Sequence, residues 1–332
     1  MGDYDDLVLS EVHINPEDQP VDNAFVSRFI LKVSDDLVED TSSNEYCTKY
    51  DSDGDVIYRK EYLQLQNEVA ITIKHHHATP LDKVGKQMWN GSFVMADYIL
   101  NSSDIKEKYC LELGCGIGFS SIVCAMKSKH LYCTDYSDEI LQLCSENVNL
   151  NELAYNNDAP LLSSDEYIKI RNLDWFDTNL KDFNHSEVNS VFNEFLYKNS
   201  KRNVSEKFIW QENDISCLQK TNLIFAADCI YDETLTEKLF NAIFFFVFLS
   251  RQKEVTVYLS IEKRINFTIE DVDVAASSYN HLMLMFTGLK NGSFGDVFKG
   301  NCVIEEVPLT FSQHIDYNRT KYLQLWKILF AK

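Results

Sequence analysis

A short apolar run that ends in a glycine-rich turn restricts the fold of this chain more than any other sequence feature. Residues 110–118 read CLELGCGIG, so glycines occupy alternate positions directly after the predicted strand Tyr109–Leu113. Glycine lets a backbone turn tightly and lets a ligand approach the amide groups closely. The pattern therefore predicts a strand, a ligand-binding turn and then a helix over residues 119–127.

Strands and helices alternate along most of the remaining chain. Apolar runs predict strands over residues 69–73, 109–113, 130–134, 167–173, 223–227, 255–261, 303–308 and 322–330. Helical spacing predicts helices over residues 87–100, 119–127, 138–149, 233–248 and 269–289, the third of them capped by Ser137. This alternation predicts an α/β fold with a parallel or mostly parallel sheet.

An acidic residue, Asp135, ends the predicted strand that follows the glycine-rich turn. In a doubly wound sheet this carboxylate would lie beside the turn and could accept hydrogen bonds from the ribose hydroxyls of an adenosine ligand. The G-x-G-x-G spacing and the preceding Glu112 favour S-adenosylmethionine, because a carboxylate there would compensate positive charge or order the loop but repel a pyrophosphate. A nicotinamide or flavin dinucleotide, and a turn without a ligand, remain alternatives.

Further site candidates follow from the ends of other strands. Asp174 and Trp175 end the strand over residues 167–173, where a carboxylate and an indole could flank an adenine. Asp228 leaves the very apolar strand over residues 223–227, and ligands bind outside the carboxyl ends of such strands. Trp89 stands ahead of the first strand of the sheet. The alternatives are a tryptophan in a helix core for Trp89 and one covering a sheet edge for Trp175.

Charge and cysteine content limit the class of protein. The chain has 31 Lys and Arg against 51 Asp and Glu, a net charge of −20, which disfavours direct binding to nucleic acid and suits a basic protein partner. Its nine cysteines form no CxxC pair and predict a reduced, intracellular protein. The start of the chain does not resemble a signal peptide, and the longest apolar stretch, residues 242–249, is too short to span a membrane.

Two regions and a long insertion are expected. Residues 1–66 form an acidic, partly flexible extension with strand-like runs over 7–14 and 25–33, and residues 67–332 form the main domain. Within that domain, residues 177–220 are polar and predict an insertion or long loop. No metal site is expected, since neither the run His75–His77 nor residues 51–55 has the ligand spacing of one.

The combination of Trp89, Glu112-x-Gly114-x-Gly116-x-Gly118, Leu173-x-Trp175 and Asp228-x-x-Tyr231 resembles the class I S-adenosylmethionine-dependent methyltransferases, and among them those that methylate protein lysines. The resemblance covers about residues 67–330 and extends weakly to residues 8–13. It implies a doubly wound, mostly parallel seven-strand Rossmann-like sheet, here with an N-terminal strand-containing extension. The segments that carry the rest of the likeness are 78–81, 84–87, 96–100, 262–268 and 323–328.

The resemblance also implies roles for individual residues. Asp228 and Tyr231 would be the catalytic residues, lining a lysine channel in which Asp228 orients the lysine and Tyr231 hydrogen-bonds its amine. S-adenosylmethionine would contact Trp89, Gly114, Cys115, Gly116, Asp135, Trp175 and Ala227, and we add Glu112, Gly118 and Asp174 from their positions. Cys115 stands where a smaller residue such as alanine is more usual, and both it and Cys229 are read as lining residues rather than nucleophiles.

The implied substrate is a lysine of a basic DNA- or RNA-binding nuclear protein, and the implied location is the nucleus or cytoplasm. Electrostatically, a chain with a charge of −20 suits such a substrate. Two alternatives remain: a catalytically weak scaffold of the same fold that binds a partner through its acidic arm, and methylation of a small molecule.

Overall fold

The structure is a computed structural model that describes residues 7–10, 12, 24–32, 68–152, 167–182, 187–264, 266–268, 273–295, 298 and 300–332. The strands within these ranges are β1 Leu7–Leu9, β2 Phe25–Lys32, β3 Glu68–His75, β4 Ala78–Pro80, β5 Tyr109–Leu113, β6 His130–Asp135, β7 Ile168–Asn172, β8 Leu223–Ala227, β9 Glu254–Glu262, β10 Asn266–Thr268, β11 Asp273–Ala275, β12 Asn301–Val307 and β13 Leu323–Ala331. The α-helices are α1 Asn90–Asn101, α2 Phe119–Ala125, α3 Asp138–Leu150, α4 Val188–Asn199, α5 Ile215–Leu218, α6 Glu233–Leu249 and α7 Ser277–Lys290. Short 3-10 helices cover Leu81–Lys86, Ser103–Ile105, Trp175–Thr178, Leu180–Asp182, Glu206–Phe208 and Glu212–Asp214.

Seven strands form one central sheet in the order β12–β13–β9–β8–β5–β6–β7. Strands β5 to β9 are parallel to one another, and β13 is antiparallel to both of its neighbours. This confirms the predicted doubly wound, mostly parallel seven-strand sheet. The strand order reverses between β5 and β8, and in sheets of this kind a ligand binds outside the carboxyl ends of the strands at that point.

Helices cover both faces of the sheet, so its central strands are buried on both sides. All six residues of β6 are buried. One apolar cluster joins the sheet to α1, α2 and α3, and a second joins it to α4, α6 and α7. Burial on two faces explains why these strands read as continuous apolar runs rather than as alternating ones.

The most apolar helix, α6, lies inside the second cluster. Its aromatic residues Phe240, Phe244, Phe245 and Phe246 are almost completely buried. Asp232 caps its start by accepting a hydrogen bond from the Leu235 N–H at 2.8 Å. None of the helices in the described ranges combines the length and the apolar character that crossing a bilayer requires.

Two antiparallel pairs join the N-terminal extension to the main domain. β2 pairs with β3 over its full length, and β1 pairs with β4. The predicted strand over residues 25–33 is thus confirmed for Phe25–Lys32, and the run over residues 7–14 contains the strand Leu7–Leu9. The polar stretch between β2 and β3, including residues 51–55, lies outside the described residues, and the division at residue 66 stays a prediction.

Of the two alternatives predicted for residues 177–220, the long loop is wrong, whereas an insertion stays a prediction. This segment contains α4 and α5, and it buries Phe192, Phe195 and Trp210 in the second apolar cluster. Val188, Val191, Phe192 and Phe195 have helical spacing, but the polar residues around them hide it. Asp214 ties the segment to β7 through an ion pair between Arg171 Nε and Asp214 Oδ2 at 2.7 Å.

One smaller prediction is wrong, and another is confirmed for position alone. The helix expected over residues 269–289 begins at Ser277, after an antiparallel pair of short strands, β10 and β11. Alternating Asp and Val in residues 271–274 is the strand signal that was missed. Ser137 does occupy the N-cap position of α3, but its side chain accepts no capping hydrogen bond.

Candidate active site

A cavity of about 1130 Å³ opens at the carboxyl ends of β5, β6 and β8, at the point where the strand order reverses. It brings together eleven of the twelve predicted site residues. The lining residues among them are Trp89, Glu112, Gly114, Cys115, Gly116, Asp135, Asp174, Trp175, Ala227, Asp228 and Tyr231. The remaining predicted residue, Gly118, does not line this cavity.

The glycine-rich turn depends on its glycines for both conformation and space. Gly114 and Gly116 have φ angles of 70° and 51°, which side-chain-bearing residues rarely adopt. A Cβ on residue 114 would lie 2.7 Å from Cys229 Sγ, and one on residue 116 would lie 2.9 Å from the Gly85 carbonyl oxygen. Gly118 starts α2 with a φ of 85° and packs against Cys144, so its role is in the turn itself.

Asp135 joins the end of β6 to the turn. Its Oδ2 accepts a hydrogen bond from the Gly116 N–H at 3.0 Å, and its Oδ1 accepts one from the Tyr136 N–H at 2.8 Å. Burial raises the pKa of Asp135 to about 6, against the lowering effect of these backbone donors. The carboxyl group therefore lies at the cavity wall with a fixed orientation and with lone pairs left for a ligand.

Glu112 lies beneath the turn and is fully buried. Its two carboxyl oxygens accept hydrogen bonds from the hydroxyls of Ser120 and Ser121, in the first turn of α2. Burial raises the pKa of Glu112 to about 8, although the serine hydrogen bonds oppose this. Of the two roles that the sequence left open for Glu112, these contacts support the ordering of the loop.

The raised pKa of Glu112 makes stability depend on pH. The folded protein keeps this proton up to about pH 8, whereas an ordinary glutamate releases it near 4.5, so the unfolded state binds fewer protons in between. Stability should therefore fall as the pH rises through that window, with a slope of at most about 1.4 kcal/mol per pH unit from this group. Glu112→Gln should flatten the decline.

Denaturant unfolding of the wild type and of Glu112→Gln between pH 5 and pH 8.5 measures this effect. We expect the free energy of unfolding of Glu112→Gln to increase relative to that of the wild type as the pH rises. Parallel stability curves for the two proteins would show that Glu112 is not the group responsible. Glu146, an exposed glutamate on α3, provides the matched control as Glu146→Gln.

Asp228 follows β8 in a backbone conformation that is unusual for a residue with a side chain. Its φ angle is 58°, which costs roughly 1–2 kcal/mol outside glycine and somewhat less for aspartate. The Gly91 N–H donates to Asp228 Oδ2 at 3.1 Å, and a Cβ on residue 91 would lie 2.9 Å from Asp228 Cβ. Strain of this kind persists where the surroundings enforce it, and it is common at functional sites.

Aromatic side chains enclose the cavity beside these carboxylates. The Trp89 indole donates to the Val84 carbonyl at 3.0 Å, and its ring faces the Arg264 guanidinium. The Trp175 ring lies against Gly114. Burial raises the pKa of Tyr231 well above its ordinary value, so its hydroxyl keeps its proton at neutral pH.

Asp174 caps the 3-10 helix Trp175–Thr178 by accepting a hydrogen bond from the Phe176 N–H at 3.0 Å. Its other carboxyl oxygen pairs with Arg202 Nη2 at 2.9 Å. Arg202 lies in the segment over residues 177–220, to which the sequence assigned no role. That segment therefore helps to fix one wall of the cavity.

The two cysteines at the cavity have thiols that favour their protonated form. A hydrogen bond to Cys144 lowers the pKa of Cys115, but burial and nearby carboxyl groups outweigh it and raise the pKa to about 12. Burial likewise raises the pKa of Cys229 well above its usual range. These shifts agree with the interpretation of both as lining residues. The described residues contain no group of three or more His, Cys, Asp or Glu that could hold a metal ion.

The structure adds lining residues that the sequence did not single out. Among them are Leu81, Asp82, Tyr136, Phe176, Asp232 and Arg264. Arg264 follows β9 just as Asp228 follows the neighbouring β8, so the rule that selected Asp228 could also have selected Arg264. Across the described lining, six carboxyl groups face a single guanidinium, that of Arg264. A cavity with this charge suits a cationic ligand.

Parts of this chain are similar in sequence to known proteins. Residues 65–200 match the family model described as lysine methyltransferase. Methyltransferase-like protein 22 of Mus musculus is 33% identical over 278 residues, which cover 83% of this chain and 63% of that protein. The Homo sapiens protein of the same name is 33% identical over 266 residues, covering 78% of this chain and 57% of that protein.

A third relative is the protein-lysine N-methyltransferase EFM2 of Saccharomyces cerevisiae, 29% identical over 143 residues that cover 37% of this chain and 31% of that protein. The chain spans about three fifths of the length of the first two relatives. The family match begins just before β3 and includes the glycine-rich turn, Asp135 and Trp175. Over the matched residues the chain is similar to the lysine methyltransferase family, and over most of its length it is similar to methyltransferase-like protein 22.

Proposed function

We propose that this chain is a protein-lysine N-methyltransferase that uses S-adenosylmethionine and modifies a lysine of a basic protein. The observation that carries the proposal is the meeting of the glycine-rich turn, Asp135 and Asp228 in one acidic cavity. The similarity to the lysine methyltransferase family and to methyltransferase-like protein 22 supports it.

The residues at the turn fit this cofactor. Gly114 and Gly116 line the cavity without side chains, and Asp135 presents a carboxyl group beside them for the two ribose hydroxyls. Asp174 and Trp175 line the same cavity, with the Trp175 ring against Gly114, and they would flank the adenine. When bound, S-adenosylmethionine supplies a methyl group activated by a positively charged sulfonium.

The charge of the cavity supports a sulfonium ligand over a dinucleotide. Six lining carboxyl groups against one guanidinium would attract positive charge, and they would repel the two negative charges of a pyrophosphate. Glu112 is the exception among the six, because burial favours its neutral form.

The acceptor lysine must lose its proton before it can attack. From an ordinary pKa of about 10.4, removing that proton at pH 7 costs roughly 4–5 kcal/mol. Desolvation in the channel and nearby positive charge lower this cost. Asp228 would orient the amine, Tyr231 would hydrogen-bond it, and alignment of the two reactants would supply much of the barrier reduction.

The substrate we propose is a basic DNA- or RNA-binding protein, encountered in the nucleus or the cytoplasm. The net charge of −20 supports this class, because an acidic enzyme attracts a basic protein and repels a free nucleic acid. Exposed apolar side chains at the cavity mouth, those of Leu81, Tyr136 and Phe176, provide surface for a protein substrate to cover.

A labelled-methyl assay tests this function. The purified chain is incubated with methyl-labelled S-adenosylmethionine and a mixture of core histones and ribosomal proteins, and the products are searched for methyl-lysine by mass spectrometry. Serum albumin, which is acidic but rich in lysine, serves as the control. We expect methyl-lysine in the basic proteins only. Label in nucleic acid or small molecules, or cofactor binding without any transfer, would contradict the proposal and favour the alternatives above.

A further inference from the structure

Arg264 lies beside Asp228 in the lining of the cavity. Its Nη2 is 3.5 Å from Asp228 Oδ1, and its Cζ is 4.4 Å from the centroid of the Trp89 ring. The carboxylate is almost completely buried, with 2% of its side chain exposed, whereas 27% of the Arg264 side chain is exposed. The guanidinium thus caps a buried carboxylate from the side of the cavity.

The contacts of Arg264 suit a residue that stays in place and stays charged. A guanidinium does not lose its proton in proteins, and its flat face stacks on the indole of Trp89. Its Nε is buried and has no hydrogen-bond partner among the described residues. Asp228 also accepts hydrogen bonds from backbone, among them those of the Gly91 N–H at 3.1 Å and the Glu262 N–H at 3.4 Å.

We propose that Arg264 is a positioning residue that cancels the charge of Asp228, so that the channel accepts a neutral amine rather than an ammonium ion. This inference rests on the proposed function. An ionised Asp228 alone would hold the lysine in its protonated, unreactive form, because an opposite charge within about 4–6 Å raises the pKa of an amine by about 1–3 units. The Arg264–Asp228 pair keeps the orienting hydrogen bonds without that penalty.

The other charged or titratable groups at the cavity do not provide this neutralisation. They are the carboxyl groups of Asp82, Glu112, Asp135, Asp174 and Asp232, the phenols of Tyr136 and Tyr231, and the thiols of Cys115 and Cys229. Glu262 lies next to Asp228 in space and accepts a hydrogen bond from Asn90 Nδ2 at 3.1 Å. Each of these groups is neutral when protonated and negative when deprotonated. Arg264 is therefore the one cation in the described lining.

The first test uses n-butylammonium as a probe of the ammonium form of lysine and needs no methyl transfer. Calorimetry at pH 7 should show that Arg264→Gln binds this cation about tenfold more tightly than the wild type. The increase in n-butylammonium affinity should vanish in the double variant Arg264→Gln with Asp228→Asn. Arg264→Lys should bind n-butylammonium almost as weakly as the wild type. Lys263→Gln is the control for overall charge. It removes one positive charge from the neighbouring residue, whose ammonium group lies over the Tyr279 ring and not beside Asp228.

The second test is the pH profile of methyl transfer to the histone and ribosomal protein mixture. In the wild type, kcat rises with pH as the bound amine loses its proton. Arg264→Gln should shift the midpoint of this rise upward by about one pH unit, because the amine then keeps its proton to higher pH. Lys263→Gln should leave the profile unchanged, and Arg264→Lys should restore most of it. A loss of rate in Arg264→Gln that is equal at all pH values would mean a merely structural role.

The two tests separate this inference from the proposed function. Tighter n-butylammonium binding by Arg264→Gln, dependent on Asp228, supports the role of Arg264 even if no protein is methylated. Methylation by the wild type together with unchanged n-butylammonium binding in Arg264→Gln would support the proposed function and overturn the role of Arg264. If the increase in n-butylammonium affinity caused by Arg264→Gln persists when Asp228→Asn is added, the role of Arg264 is overturned as well.

Discussion

Asp228→Asn is expected to reduce methyl transfer about a hundredfold or more while S-adenosylmethionine still binds. Asparagine tolerates the left-handed backbone conformation at this position, where φ is 58°, so the fold should remain intact. The charge of the carboxylate would be lost, together with one of the two oxygens that accept from Gly91 and Glu262. The amine would then lose its orientation, and misplacement by about 1 Å can cost 10²-fold. Labelled-methyl transfer measures the rate, and calorimetry measures cofactor binding.

Asp232→Asn provides the matched control for this experiment. Asp232 also lines the cavity, and it caps α6 through the Leu235 N–H. Asparagine is an equally good cap, so the variant should keep both its stability and most of its activity. Activity of Asp228→Asn within a few-fold of the wild type would remove Asp228 from the account of catalysis.

Asp135→Ala is expected to weaken S-adenosylmethionine binding by about 100-fold or more. Each hydrogen bond to a charged group contributes about 1.5–3 kcal/mol, and two ribose hydroxyls would lose their acceptor. The turn would also lose the contact between Asp135 Oδ2 and the Gly116 N–H. Calorimetric titration with S-adenosylmethionine and with S-adenosylhomocysteine measures the loss.

Asp138→Ala, three residues further along, is the control. Asp138 accepts a hydrogen bond from the Ser205 N–H at 2.7 Å but does not line the cavity, so its removal should leave the affinity close to that of the wild type. Equal affinities for Asp135→Ala and the wild type would mean that the ribose lies elsewhere.

The central sheet could be predicted from the sequence because its strands are buried on both faces. Continuous apolar runs such as β8 have few other interpretations when glycine or aspartate follows them directly. The helix α4 could not be recognised as easily, because its Phe192 and Phe195 are separated by polar residues that face solvent. The amphipathic pattern of α4 is present in the sequence, but the intervening polar residues make it hard to recognise.

Most of the candidate site could also be predicted, since local signals mark the turn, Asp135 and Asp228. Contacts between distant segments could not. The pairing of Asp174 with Arg202, and of Asp228 with Arg264, joins residues 28 and 36 positions apart through the packing of separate elements. The burial that raises the pKa of Glu112 likewise depends on how α2 packs over β5. Sequence spacing carries no information about such neighbours.

Calorimetric titration of the purified protein with S-adenosylmethionine and, separately, with NAD tests the central claim most directly. The excess of carboxyl groups over the one guanidinium in the described cavity lining predicts saturable binding of S-adenosylmethionine, with a stoichiometry near one, and no measurable binding of NAD. Saturable binding of NAD with no heat from S-adenosylmethionine would contradict the account of this cavity.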